Sequence, residues 1–129
     1  MSTAQLGNSR VDAVGRELSK CGYTIGFLKA SGRRGQRRRD LNCLAGDLLA
    51  LAPEGGGAHL IVEVGGVGKR LSRAFAELNA NPMPGFCPIV VRFVNRKQRI
   101  YVDGQATWWT SWQELANYLR YQANCRRAA

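Results

Sequence analysis

GDLLALAPEGGGAHLIVEV (46–64) contains two nearly continuous apolar runs, GDLLALA and HLIVEV, joined by a turn rich in Pro and Gly. Runs of this length bounded by turn residues read as β-strands, and strands apolar on both faces belong inside a covered sheet. Folding the segment about residue 55 predicts a hairpin with Asp47 opposite Glu63, each eight residues from the centre. Directly opposed side chains stand ~4.5–5.5 Å apart at Cβ, and like charges there repel. The surroundings are apolar, so water gives little relief, and a divalent cation bridging both carboxylates is the expected compensation. An oxygen-only donor set with no Cys or His nearby favours Mg²⁺ or Mn²⁺. A register slip of one residue, or an Arg that neutralises the pair, would remove the need for a metal.

Beyond Glu63 the chain breaks into GGVGK (65–69). A phosphate loop of the Walker type needs a Gly where this chain has Glu63 and a Ser or Thr where it has Arg70, so a nucleotide cofactor is not expected. KRLSRAFAELNA (69–80) places Leu71, Ala74, Phe75 and Leu78 on one face and predicts a helix that NPMPG ends. Upstream, Val11, Val14, Leu18 and Cys21 predict an amphipathic helix over 10–21, and TIGFLKA (24–30) a strand. Downstream, CPIVVRFV (87–94) and RIYVDG (99–104) predict two strands paired across the basic turn NRKQ. Ser111 with Glu114 forms a capping box that opens a closing helix carrying Trp112, Leu115, Tyr118 and Leu119. The expected order is α-β-β-β-α-β-β-α, one α/β domain over 1–129 with a central mixed sheet flanked by helices.

The chain has 129 residues, 45% of them hydrophobic and 22% charged, enough for one sizeable core. The N-terminal stretch lacks the apolar core of a signal peptide, and no segment reaches the ~20 apolar residues of a membrane span. A soluble protein of the cytoplasm is expected, the host's if a phage carries it. Cys21, Cys43, Cys87 and Cys125 form no C-x-x-C pair, which speaks against a zinc or redox site. The 19 Lys and Arg, most of them Arg, stand against 9 Asp and Glu, for a net charge of +10. A polyanion is the natural partner, and Arg favours bidentate phosphate recognition. SGRRGQRRRDLNC (31–43) concentrates Arg33, Arg34, Arg37, Arg38 and Arg39 in a basic loop or arm over 31–42, suited to phosphate contacts read by backbone and shape.

The order of elements, with Asp on the second strand and Glu on the third, resembles the PD-(D/E)XK nuclease superfamily. SGRRG, GDLLALAP and HLIVEVGG are similar to the Holliday-junction resolvases of archaea and phages, over roughly residues 10–95. The resemblance implies a restriction-endonuclease-like fold and a metal-dependent DNA endonuclease acting on branched DNA as a homodimer. Asp47 and Glu63 would be metal ligands, with the backbone carbonyl of Val64 completing the shell, and Ser31 would lie near the scissile phosphate. An acid of the first helix, Glu17 or Asp12, would join them. Two positions depart from the pattern: Gly46 stands where Pro precedes the Asp, and Gly65 stands where the motif has its Lys. Lys69 is the candidate to swing back and replace it, with Arg70 beside it for DNA contact.

Other residues have blander readings beside the functional ones. His59 shares a strand with Glu63 and is either a satisfied sheet residue or a general base. Asp40 reads as a local partner for the arm's Arg residues. Trp108, Trp109 and Trp112 read as core or dimer seam rather than base-stacking surfaces. The rival to the enzyme is a non-catalytic DNA-binding protein on a nuclease scaffold that has lost its Lys. A basic RNA-binding or capsid-associated protein would explain the charge but not the opposed acids.

Overall fold

The structure is a computed structural model and describes residues 3–28, 46–65 and 68–128. Its elements are α1 (Thr3–Lys20), β1 (Thr24–Phe27), β2 (Leu48–Leu51), β3 (His59–Gly65), α2 (Leu71–Asn79), β4 (Phe86–Val94), β5 (Lys97–Val102), β6 (Trp108–Trp109) and α3 (Trp112–Ala128). The strands form one six-stranded sheet in the order β1-β2-β3-β4-β5-β6. All neighbours are antiparallel except β3 and β4, whose parallel pairing requires the crossover that α2 supplies.

Alternation along the central strands sends side chains to two apolar clusters. Leu48, Leu60, Val62, Ile89, Val91 and Ile100 pack on one face under α1 (Val14, Leu18) and α3 (Leu115, Leu119). Ile61 and Val90 pack on the other face under Ala74 and Leu78 of α2. Each fully buried Leu or Ile of this set contributes about 1.5–3 kcal/mol of hydrophobic stabilisation. Both faces of β3 and β4 are therefore covered, which is why their sequences are apolar save for His59, Glu63 and Arg92.

Several boundaries differ from the expected ones. Helix α1 starts at Thr3 instead of residue 10, because its first turns carry no apolar stripe from which periodicity could reveal them. Strand β2 starts at Leu48 instead of residue 46, because Gly46 lies at φ 100°, outside the extended region. Strand β5 starts at Lys97 because Asn95 and Arg96, at φ 52° and 66°, already complete a two-residue turn of the hairpin type. The two-residue β6 adds a strand to the expected order; it is too short to show alternation. At the start of α3 the Ser111 hydroxyl accepts the Glu114 N–H at 3.2 Å, half of the capping box. No helix among the described residues is long and apolar enough to cross a membrane.

The β2–β3 turn docks on α3 through Gly57, at φ 88°, where a Cβ would come 2.7 Å from the Leu119 carbonyl oxygen. Gly85 has a similar φ of 82° but open space around it. Gly85→Ala should lower stability by about 1–2 kcal/mol for the left-handed backbone alone. Gly57→Ala should lower it further, because α3 must also move. Urea unfolding midpoints of the two variants check this, and equal losses would mean that the turn does not depend on close contact with α3.

Candidate metal and phosphate site

The parallel strands β3 and β4 end beside the start of α2, and there Asp47, Glu63, Val64, Gly65, Gly68, Lys69, Ala74, Val90 and Arg92 line a cleft of about 310 Å³. Leu48 pairs with Val62 and Leu49 with Ile61, so the register carried one residue further sets Asp47 across from Glu63, as the hairpin arithmetic predicts. Among the described residues three hydrogen bonds hold Asp47. Its N–H donates to the Val62 carbonyl at 2.8 Å, its carbonyl accepts the Leu28 N–H at 3.0 Å, and its Oδ2 accepts the Val64 N–H at 2.8 Å. The last bond ties the carboxylate to the strand that carries Glu63.

Glu63 is nearly buried, with 12% of its side chain exposed, and Lys69 Nζ stands 3.7 Å from its Oε1. The same ammonium donates to Glu77 Oε2 of α2 at 2.6 Å, and Arg73 Nε lies 3.4 Å from the other oxygen of Glu77. The hydrogen bond to Glu77 raises the Lys69 pKa above the ordinary lysine value; desolvation opposes it, and the Glu63 charge adds to the rise. The same bond lowers Glu77 below the usual carboxylate range. At neutral pH Lys69 is thus a fixed cation and not a proton acceptor.

Lys69 does turn back into the cleft from the start of the α2 segment. Gly65 leaves the position of the expected Lys open, since a Cβ there would meet no heavy atom within 4 Å. On the neighbouring strand Arg92 is the direct partner of Gly65, lines the cleft, and donates from Nη2 to the Lys69 carbonyl. Sequence reasoning passed over Arg92. Its signal was a lone cation inside the otherwise apolar CPIVVRFV, where a charged residue needs a partner or a task.

Other expected site residues fall elsewhere. Glu17 does not reach the cleft: α1 packs on the opposite face of the sheet, and the Glu17 carboxylate accepts a hydrogen bond from Gln98 Nε2 at 3.0 Å. Asp12 lines a separate hollow with Arg16 and Lys20 between α1 and β1. Arg70 is exposed just ahead of α2 and outside the cleft lining. His59 accepts the Ala52 N–H through Nδ1 at 2.8 Å and packs on the Phe86 ring, a satisfied sheet residue at the other end of β3. Trp112 is core and Trp109 packs against it, whereas Trp108 is 42% exposed. Ser31, the five Arg residues of the arm and Asp40 lie outside the described residues.

No family model matches the chain, and no curated protein does. Among the described residues no group of three or more His, Cys, Asp and Glu side chains is gathered as a metal site. A pair of carboxylates is nonetheless the donor set suited to Mg²⁺, which retains several waters and completes its shell with one or two carboxylates and substrate phosphates. Asp47, Glu63 and the backbone beside Val64 fit that requirement.

Gly46 sets where Asp47 begins. At φ 100° it has a conformation that Pro, locked near −65°, cannot adopt, so the Gly is required here. Gly46→Pro, which would restore the PD pattern, should misplace Asp47 and lower stability by about 3 kcal/mol or more. Thermal unfolding with and without Mn²⁺ checks this: the variant should melt lower and lose any Mn²⁺-dependent rise seen in the parent chain.

Proposed function

We propose that the protein is a metal-dependent DNA endonuclease of the PD-(D/E)XK type, with a restriction-endonuclease-like fold, acting on branched DNA such as a four-way junction. The observation that carries this reading is the convergence of Asp47, Glu63, Lys69 and Arg92 in one cleft at the ends of parallel strands. The sheet order supports it as well, with three antiparallel strands, a crossover helix and a parallel fourth strand. The net charge of +10 supports a polyanionic substrate. A four-way junction presents symmetry-related strands, which suits a homodimer.

The proposed reaction is hydrolysis: a water oxygen bonds to phosphorus, the bond to one ester oxygen breaks, and that oxygen leaves with a proton. A bound Mg²⁺ or Mn²⁺ would supply Lewis acidity and lower the pKa of water. Asp47 and Glu63 would hold the cation, with the Val64 carbonyl as a further oxygen donor. Lys69 presents a permanent ammonium to the phosphoryl oxygens, where negative charge builds during attack. Arg92 braces the Lys69 backbone and adds a second positive group to the cleft wall. The basic arm over 31–42 grips flanking phosphates.

Cleavage of a labelled four-way junction and of matching linear duplex in Mg²⁺, Mn²⁺ and EDTA tests the proposal. Junction cutting should require metal and vanish in Glu63→Ala. Lys69→Ala should slow it about 10²–10³-fold, the loss typical of one charge-stabilising donor. Gly65→Lys should restore part of that rate in the Lys69→Ala background, because the open space at Gly65 accepts the side chain. Junction binding without cutting in either metal would make the protein a DNA-binding module on a nuclease scaffold.

A further inference from the structure

The cleft continues across the sheet. Glu63 pairs with Val90, Val90 with Tyr101, and Tyr101 with Trp108, so one cross-sheet row runs from the acid of the cleft to an exposed aromatic on the edge strand. The next row runs Gly65, Arg92, Arg99. Helix α2 covers β3 and β4 on this face; Tyr101 packs partly buried at the border of the cluster beneath it, and the first row continues to the exposed Trp108 on β6.

At the far end Arg99 Cζ lies 4.4 Å from the Trp108 ring centroid, and the Tyr101 ring lies 5.9 Å from Trp108 at a tilt of 50°. Arg92, which lines the cleft, lies with its Cζ 6.0 Å from the Tyr101 ring. Cations and aromatics thus interleave from the catalytic end to the edge. Trp108 differs from the other two indoles: Trp109 donates to Gln105 and stacks on Tyr118, and Trp112 is buried and donates to Gln98. An aromatic left 42% exposed beside a guanidinium offers a nucleotide both of its needs, a ring for the base and a cation for the phosphate.

We infer that Arg99, Tyr101 and Trp108 form a ledge that stacks an unpaired DNA base, so the substrate carries a single strand beside the cut. This rests on the nuclease reading for the cut but not for the binding. Paired bases hide their faces in the duplex stack, so a stacking ledge selects unpaired nucleotides. Three strand spacings separate Glu63 from Trp108, roughly 14 Å. That is about four steps of a stacked strand at ~3.4 Å each.

The test is binding in EDTA at about 0.15 M salt, where exposed charge interactions are screened. Oligo(dT) and a duplex of equal length are titrated into wild type, Trp108→Ala and Trp108→Phe, reading tryptophan fluorescence and Kd. Oligo(dT) should quench the wild-type signal. Trp108→Ala should lose most of that quenching and bind oligo(dT) about 5- to 100-fold more weakly, the effect expected for one base-stacking aromatic. Trp108→Phe should retain most of the affinity, and duplex binding should change in neither variant. An equal loss for duplex and oligo(dT), or no loss for either, overturns the ledge. EDTA keeps the outcome separate from the nuclease reading: Trp108-dependent binding without junction cutting supports the ledge alone, and cutting with unchanged Trp108→Ala binding removes it alone.

Discussion

The Asp47 carboxylate accepts the Val64 N–H across the end of the β2–β3 pair, and the rest of the cleft depends on that bond. It spans seventeen residues of chain and fixes a charged group against the strand that carries Glu63. A hydrogen bond to a carboxylate contributes more than one between neutral groups. It also fixes direction, because an acid bound to the backbone of the next strand cannot rotate to solvent to escape its neighbour. The like-charge pair is thereby held together, and the chain has to compensate it.

Among the described residues two cations stand at the cleft, and neither comes from the position where a strand-borne lysine would stand. Lys69 approaches Glu63 from the turn ahead of α2, and Arg92 approaches from β4 opposite Gly65. Moving the cation from strand to turn changes what controls it. A lysine on β3 would be set by the sheet ladder, whereas Lys69 is set by Glu77 of α2 on one side and by the Arg92 bond to its backbone on the other.

Much of this was legible in the residues. The apolar continuity of LLAL and LIVEV required interior strands, and the symmetry of the turn set Asp47 opposite Glu63. The helix pattern of α2 and the Ser111 cap of α3 also read correctly, because local spacing determines them. What stayed hidden depends on tertiary placement. Glu17 and the inward-facing residues of α1 share a periodic helix, yet only the packing of α1 on the far face of the sheet shows that Glu17 points away from the cleft. Arg92 stands out in sequence as the lone cation of CPIVVRFV, but only the parallel register of β4 against β3 sets it beside Gly65. Trp108 looks like Trp109 in sequence, and strand alternation alone separates an exposed ring from a packed one.

The parallel pairing of β3 and β4 also explains why the charged groups gather at one end. Parallel strands finish on the same side, so the residues at their carboxyl ends, Glu63 to Gly65 and Val90 to Arg92, share one edge of the crossover. The antiparallel return of β5 then brings its first residues, Gln98 and Arg99, to that edge. Strands β4, β5 and β6 would each run the other way if the β3–β4 connection were a hairpin, and Arg99 would lie at the opposite end from Glu63. A single crossover helix therefore decides that the acids, the cations and the edge aromatics occupy one continuous surface and not two.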